Sequence, residues 1–320
     1  ITGESNSNID VFLNSTGDVR LRGVFSRDQL PNGSLNFYGD LTITSDQIYP
    51  STLTEYSIVN QHKLNAEIDE TTGDITSITD VGGVVEINGN GNAAPVLSAA
   101  GKLTIDSPTI INRGVIKAPA GEINLIAPLS LQLLNGSTTS VSLDNQSVPF
   151  GRTEAGDWVY TTQEGASSFT FVFNDLPEKV ISLNSRNVEF AEGATLKTSG
   201  NGNLLAYEHI PGPNGSTDIL DSDLFNNSYA IIPSYSSGFA PFDIAESDFS
   251  QFQVGQEIVF SNNAGGLPAG RYTLLPARYA LLPGAYLIKT APESDNLSSA
   301  QAIALSDGST LIRGRLAVSN

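Results

Sequence analysis

The sequence predicts an all-β chain wound as a β-solenoid and carrying a β-rich insertion outside the coils. Three observations point there. The first is a repeat: Gly101-Lys102-Leu103-Thr104-Ile105 is answered 20 residues later by Gly121-Glu122-Ile123-Asn124-Leu125. Between the copies lies Ile110-Ile111-Asn112-Arg113-Gly114-Val115-Ile116, so each repeat offers three short β-type bursts with Gly, Asn or Pro at the corners. One such triplet buries no face alone, whereas stacked triplets bury a continuous core. The second observation is that apolar residues elsewhere recur with period two, the signature of half-buried strands. The third is a near-absence of helix signals, which are confined to short windows at 244–249 and 298–302.

Taken in chain order, residues 1–223 are expected to form the solenoid. Segments 9–13 and 19–21 open it as short strands. Pro31-Asn32-Gly33 is a turn signal, and the strand after it contains Gly39-Asp40-Leu41-Thr42-Ile43, which repeats the form of 101–105 at a distance of 62 residues, close to three coils. Residues 53–95 alternate again but are broken at Thr72-Gly73 and at Asn88-Gly89-Asn90-Gly91-Asn92, so a hairpin excursion is expected near 53–95. The clearest coils span 96–134. Residues 141–178 are more aromatic, with Trp158 and Tyr160 beside Phe169, Phe171 and Phe173; they form either a core cluster or a ligand platform. Coil-like pattern returns over 180–204. From 224 to 309 prolines and tyrosines interleave. Here Arg271-Tyr272-Thr273-Leu274-Leu275-Pro276-Ala277 is followed by Arg278-Tyr279-Ala280-Leu281-Leu282-Pro283-Gly284. Its prolines forbid a coiled coil and imply short extended pieces. Residues 310–320 are expected to return as a strand to the solenoid.

Composition narrows the function. The chain has 320 residues, 39% of them hydrophobic, and a net charge of −18 from 34 acids and 16 bases. That is enough apolar content for a core. No Lys/Arg cluster exists, which argues against a nucleic-acid partner and against an anionic membrane surface. No run of about 20 apolar residues predicts membrane insertion. The chain contains no Cys and no Met, which excludes disulfides, thiolate metal sites and Cys nucleophiles. Ile1 to Asn320 is expected to be a segment of something longer.

Four segments carry a resemblance. They are Gly39-Asp40-Leu41-Thr42-Ile43 leading to Gln47-Ile48-Tyr49-Pro50-Ser51-Thr52; Tyr229-Ala230-Ile231-Ile232-Pro233-Ser234-Tyr235 with Ala240-Pro241-Phe242-Asp243; the stretch from Gly266 to Ala285 that contains the duplication; and Ile312-Arg313-Gly314-Arg315-Leu316-Ala317-Val318-Ser319-Asn320. Together they resemble the C-terminal shaft region of filamentous-haemagglutinin-like large exoproteins of the two-partner secretion pathway. The resemblance implies a right-handed parallel β-helix with elaborated insertions. It implies export through a dedicated outer-membrane transporter, a secreted or cell-surface location, and adhesion to a cell-surface receptor, matrix or polysaccharide. In relatives it implies contact-dependent inhibition of neighbouring bacteria, with this segment as shaft or receptor-binding region.

Candidate site residues each have a functional and a plain reading. Tyr272 and Tyr279 present flat apolar faces that can stack on sugar rings, or they pack the insertion down. Arg271 and Arg278 can hold a carboxylate or phosphate, or they pair with the chain's own acids. Asp218, Asp221 and Asp223 are the best local carboxylate cluster. They can bind Ca²⁺ through oxygen ligands, or they are a solvated acidic loop; no other cofactor is expected. Lys102, Arg113 and Lys117 are expected to point outward from the coils. Only His62 and His209 are available for His-based catalysis, and no HExxH, P-loop or EF-hand pattern occurs. A polysaccharide-active enzyme would need clustered acids on one solenoid face, and the coils show no regular repeat of them. The expectation is therefore a non-enzymatic adhesin segment, with a β-helix polysaccharide-active enzyme and a pure spacer as the other readings.

Overall fold

A computed structural model describes residues 10–26, 29–61, 65–79, 83–164, 167–208, 210, 212–215, 228–235, 241, 252–298 and 301–317. The chain divides into two compact units, one of residues 1–146 with 177–202 and the other of 147–176 with 203–320.

In the first unit the chain visits three sheets in turn. β1 (Val11–Asn14), β2 (Val19–Leu21), β3 (Val24–Ser26) and β4 (Gln29–Phe37) make the first circuit, and β5 (Leu41–Ser45), β6 (Ile48–Pro50) and β7 (Glu55–Asn60) the second. A hairpin of β8 (Asn65–Ile68) and β9 (Ile75–Thr79) intervenes. Then come β10 (Val84–Gly89) and β11 (Lys102–Asp106); β12 (Thr109–Arg113), β13 (Val115–Lys117) and β14 (Glu122–Ala127); and β15 (Ser130–Leu133) with β16 (Thr138–Ser140). After β17 (Ser147–Glu154), β18 (Asp157–Glu164) and β19 (Ser167–Phe173), which belong to the second unit, the first unit resumes with β20 (Val180–Ser185), β21 (Val188–Phe190) and β22 (Thr195–Lys197).

The first sheet is ordered β1-β5-β10-β12-β15-β21, the second β2-β6-β13-β16-β22, and the third β20-β14-β11-β7-β4-β3. Every pairing in the first two is parallel, and in the third only β3–β4 is antiparallel. The 20-residue repeat is therefore a register statement: Lys102 lies beside Glu122, Leu103 beside Ile123 and Ile105 beside Leu125.

Alternation then does the packing. In β5, β11 and β14 every second residue is buried. Parallel register stacks these into columns such as Ile58, Ile105 and Leu125, all fully buried in one core cluster. Each such side chain contributes about 2 kcal/mol relative to exposure.

The corners follow from local chemistry. Leu53, Ala100 and Ala120, each just ahead of a third-sheet strand, adopt left-handed φ of 59°, 58° and 48°. Gly101 and Gly121 follow two of them. A Cβ on Gly121 would overlap the Gly101 backbone, whose carbonyl accepts the Glu122 N–H at 3.0 Å. This close approach requires Gly at 121, while at 101 a Cβ would press on the Pro50 ring.

Several expectations are corrected. Pro31-Asn32-Gly33 is no turn but lies inside β4, where the β3–β4 ladder shifts register; a bulge tolerates the missing proline donor. The excursion near 53–95 contracts to the β8–β9 hairpin, because β7 and β10 stay in the parallel sheets. The 310–320 strand does not return to the parallel sheets. β30 (Thr310–Ile312) pairs antiparallel with β29 (Ala302–Ala304), and β31 (Gly314–Leu316) pairs antiparallel with β25 (Glu257–Phe260). Split by the exposed Arg313, β30 is satisfied by its hairpin neighbour β29 and β31 by β25, far earlier in the chain.

In the second unit β17 pairs parallel with β23 (Asn203–Glu208) and antiparallel with β18, which pairs with β19. β24 (Ser228–Ile231) lies between β27 (Leu275–Pro276) and β28 (Tyr286–Lys289), and β25 lies between β26 (Gly270–Thr273) and β31. The unit is thus wider than the expected 224–309 insertion. Of the two expected helix windows, 244–249 lies outside the described residues; a 3₁₀ turn at Pro292–Asn296 precedes the other, and a second occupies Ala277–Leu281.

Candidate functional site

The Arg-Tyr duplication places its residues by strand alternation and by its prolines. Arg271 and Tyr272 are neighbours in β26 and so face opposite sides. Arg271 points out, and its Nη1 donates to Glu257 Oε2 at 2.9 Å. Tyr272 points in, is 8% exposed, packs 6.3 Å from Phe260 and donates its hydroxyl to the Pro268 carbonyl at 2.7 Å. In the second copy Pro276 ends the strand, and the chain enters the 3₁₀ turn. Tyr279 is fully buried there. Arg278 is buried too: its Nη2 donates to Tyr160 Oη at 3.1 Å, and its Cζ lies 5.5 Å and 5.7 Å from the Tyr160 and Tyr279 ring centres.

These positions correct the ligand-binding expectation. Tyr272 and Tyr279 form no open stacking platform, since their rings lie in the core that holds the second unit together. Arg278 is a cation–π anchor between two tyrosines, and Arg271 pairs with one of the chain's surplus acids. Asp218, Asp221 and Asp223 lie outside the described residues. Among the described residues, no group of three or more His, Cys, Asp or Glu side chains is arranged to hold a metal ion. Trp158 is half-buried in an aromatic cluster: its Nε1 donates to the Phe150 carbonyl at 2.7 Å, with the Phe150 and Phe173 rings 5.5 Å and 6.3 Å away.

The outward cations of the coils divide two to one. Lys102, half-exposed, and Arg113, exposed, pair with Glu122 and Glu86 on adjacent strands. Lys117, expected outward, is buried. The cause is the chain from 91 to 100: it forms no strand, β6 bonds directly to β13, and Val96 and Leu97 are buried. The Lys117 amine donates to the Ala94 carbonyl at 3.0 Å and lies 3.4 Å from Asp144 Oδ2, while Lys197 lies 3.7 Å from Asp144 Oδ1. Burial pushes the Lys117 amine below its ordinary value, against the opposing pull of Asp144. Nearby, burial raises the Asp18 carboxyl, against hydrogen bonds from Gln47 Nε2 (3.0 Å) and Tyr49. Asp46 Oδ1 and Gln47 Oε1 are buried and accept no hydrogen bond among the described residues. This ionic group clamps the 91–100 segment and the turn at Asp144 onto the second sheet.

Sequence reasoning missed that group. Its members are far apart in sequence, and the one signal was register: Lys117 and Lys197 both pair with Ser140, which puts them in one column. Comparison of the chain with protein-family models, with curated proteins and with solved structures finds no match.

Proposed function

We propose that this chain is a non-enzymatic shaft segment of a secreted or surface-displayed bacterial adhesin, with its first unit wound as a parallel β-helix. The observation that carries the reading is the cyclic order of the strands. The chain passes from first to second to third sheet and back over successive circuits, adding parallel strands; only the β10–β11 circuit skips the second sheet, and among the described strands of these sheets only β3 pairs antiparallel. Such stacking makes long, stiff, modular bodies whose stability is a sum over neighbouring repeats. The four segments resembling filamentous-haemagglutinin-like exoproteins support export by two-partner secretion. In this reading an outer-membrane transporter is one partner, and a cell-surface receptor, matrix or polysaccharide is the other.

The burial of Tyr272, Tyr279 and Arg278 favours a second reading, in which this segment is a spacer and attachment lies elsewhere in a longer exoprotein. A glycan-array and whole-cell binding assay on the intact chain, with and without calcium, separates the two. Saturable, competable binding supports an adhesive segment, and its dependence on calcium would implicate Asp218, Asp221 and Asp223. A folded chain that binds nothing supports the spacer.

A further inference from the structure

The sequence holds six Asn-Gly pairs, at 32–33, 88–89, 90–91, 135–136, 201–202 and 214–215. Such a pair can react with itself. The glycine nitrogen attacks the asparagine amide carbon, and the missing Cβ leaves its approach uncrowded. With both groups in one chain, a rotation replaces an encounter. That rotation needs a glycine amide that is not tied down and a backbone free to turn, so the fold decides which pair reacts.

Five of the six are held. Asn32-Gly33 lies in β4, in register with β7, and a Cβ on Gly33 would sit 2.7 Å from the Tyr56 ring. Asn88-Gly89 lies in β10, between β5 and β12. The Gly136 N–H donates to the Gly193 carbonyl at 3.2 Å, and the Gly215 N–H to the Gly212 carbonyl at 2.9 Å. Gly202 is wedged in place. A Cβ there would sit 2.4 Å from Leu143 Cβ and 2.7 Å from the Gln146 carbonyl oxygen, and the Asn201 carbonyl accepts the Asn145 N–H at 3.2 Å.

Asn90-Gly91 differs. It directly follows β10, and residues 89–93 are all exposed. A Cβ on Gly91 would meet nothing within 4 Å, and the Gly91 N–H donates to no acceptor among the described residues. One bond restrains the Asn90 side chain, from Nδ2 to the Ser15 carbonyl at 2.9 Å, and it is exposed. Exposed bonds of this kind open at little cost.

We propose that Asn90-Gly91 is a site of spontaneous modification, at which the folded chain converts Asn90 to aspartate and isoaspartate with water as the only co-reactant. Gly91 N bonds to Asn90 Cγ and gives up its proton. The side-chain nitrogen takes that proton and leaves as ammonia, closing a succinimide ring. Water then breaks one of the two carbonyl bonds to Gly91 N. Opening at Cγ gives aspartate; opening at the main-chain carbonyl gives isoaspartate, with the backbone rerouted through Cγ. One water is consumed and one ammonia released, and nothing is oxidised or reduced. Either product adds a negative charge and removes the amide donor, so the link to Ser15 is lost. Isoaspartate also lengthens the backbone leading into the 91–100 segment that covers Lys117.

Ageing the intact chain at mildly alkaline pH, then digesting it at acid pH and mapping peptides by mass spectrometry, tests the proposal. A parallel sample in urea, followed until its pairs convert, shows what each does without the fold. In the folded chain Asn90 is expected to exchange its amide for a carboxyl at a rate close to the unfolded one, giving separable aspartate and isoaspartate peptides. The other five pairs are expected to lag their unfolded rates by at least about tenfold, because each must first open locally. An Asn90 that keeps its amide in the folded sample while the unfolded sample converts overturns the proposal. So does folded conversion spread evenly over all six pairs, which would make the dipeptide and not the fold the cause.

Discussion

The Nζ of Lys117 lies 3.4 Å from Oδ2 of Asp144, in a site where the lysine side chain keeps only 7% of its exposure. Removing one partner of a buried pair leaves the other charge uncompensated. Asp144→Ala strands the amine and is expected to cost about 3 kcal/mol in urea unfolding. Lys117→Met is expected to cost less, because Lys197 remains near the carboxylate and the new side chain is apolar. Equal losses for the two would mean that the pair contributes packing rather than charge compensation.

Asp18 supplies a pH dependence. Its folded carboxyl titrates above the ordinary 3.8 because it is buried. Between 3.8 and the raised folded value the native state holds more protons than the unfolded chain, so stability falls as pH rises through that window. Asp18→Asn is expected to remove this fall. The variant should be more stable than wild type at pH 7 and equal to it below 3.8. Thermal unfolding of both proteins from pH 3 to 8 decides the matter, and a variant less stable at pH 7 contradicts the assigned cause.

The glycine corner gives a contrast of sites. Gly121→Ala would drive a Cβ into the Gly101 backbone and is expected to cost about 3 kcal/mol. Gly136→Ala meets open space, and only its left-handed φ of 81° opposes it. That costs about 1 kcal/mol. Ala120→Gly, at φ 48°, is expected to be neutral or stabilising by up to about 1 kcal/mol, reversing the usual sign for a loss of alanine.

Tyr279 sets the sequence reading against the structure. A sugar-stacking tyrosine could be truncated with little effect on stability, whereas a fully buried one should not be. Tyr279→Ala is expected to cost about 4 kcal/mol. Retained stability with selectively lost binding would restore the ligand role.

The stacked coils were legible because period-two alternation and a 20-residue step write themselves into one strand after another. Gly101 and Gly121 announced the corner where backbones touch. The second unit was less legible, because several of its pairings join distant stretches: β17 finds β23 across the whole intervening segment, and β25 finds β31. The burial of Lys117 could not be read either. It depends on the 91–100 segment leaving the sheet, and no local pattern in Gly91-Asn92-Ala93-Ala94-Pro95 names what that segment covers. The duplicated Arg-Tyr pairs misled because identical words sit on different backbones, a strand at 271–272 and a 3₁₀ turn at 278–279.

The stack itself is tested most directly by nitroxide distances. The chain has no native cysteine, so labels can be placed at will on the outward column Thr42, Glu86, Ile111, Gln132 and Glu189. Pairs anchored at Thr42 should lengthen by one strand spacing, about 4.8 Å, per circuit, reaching roughly 19 Å at Glu189. Narrow distributions that climb in this order support a stacked parallel shaft. Distances that do not rise with circuit number, or a Glu189 label far from that value, would contradict it.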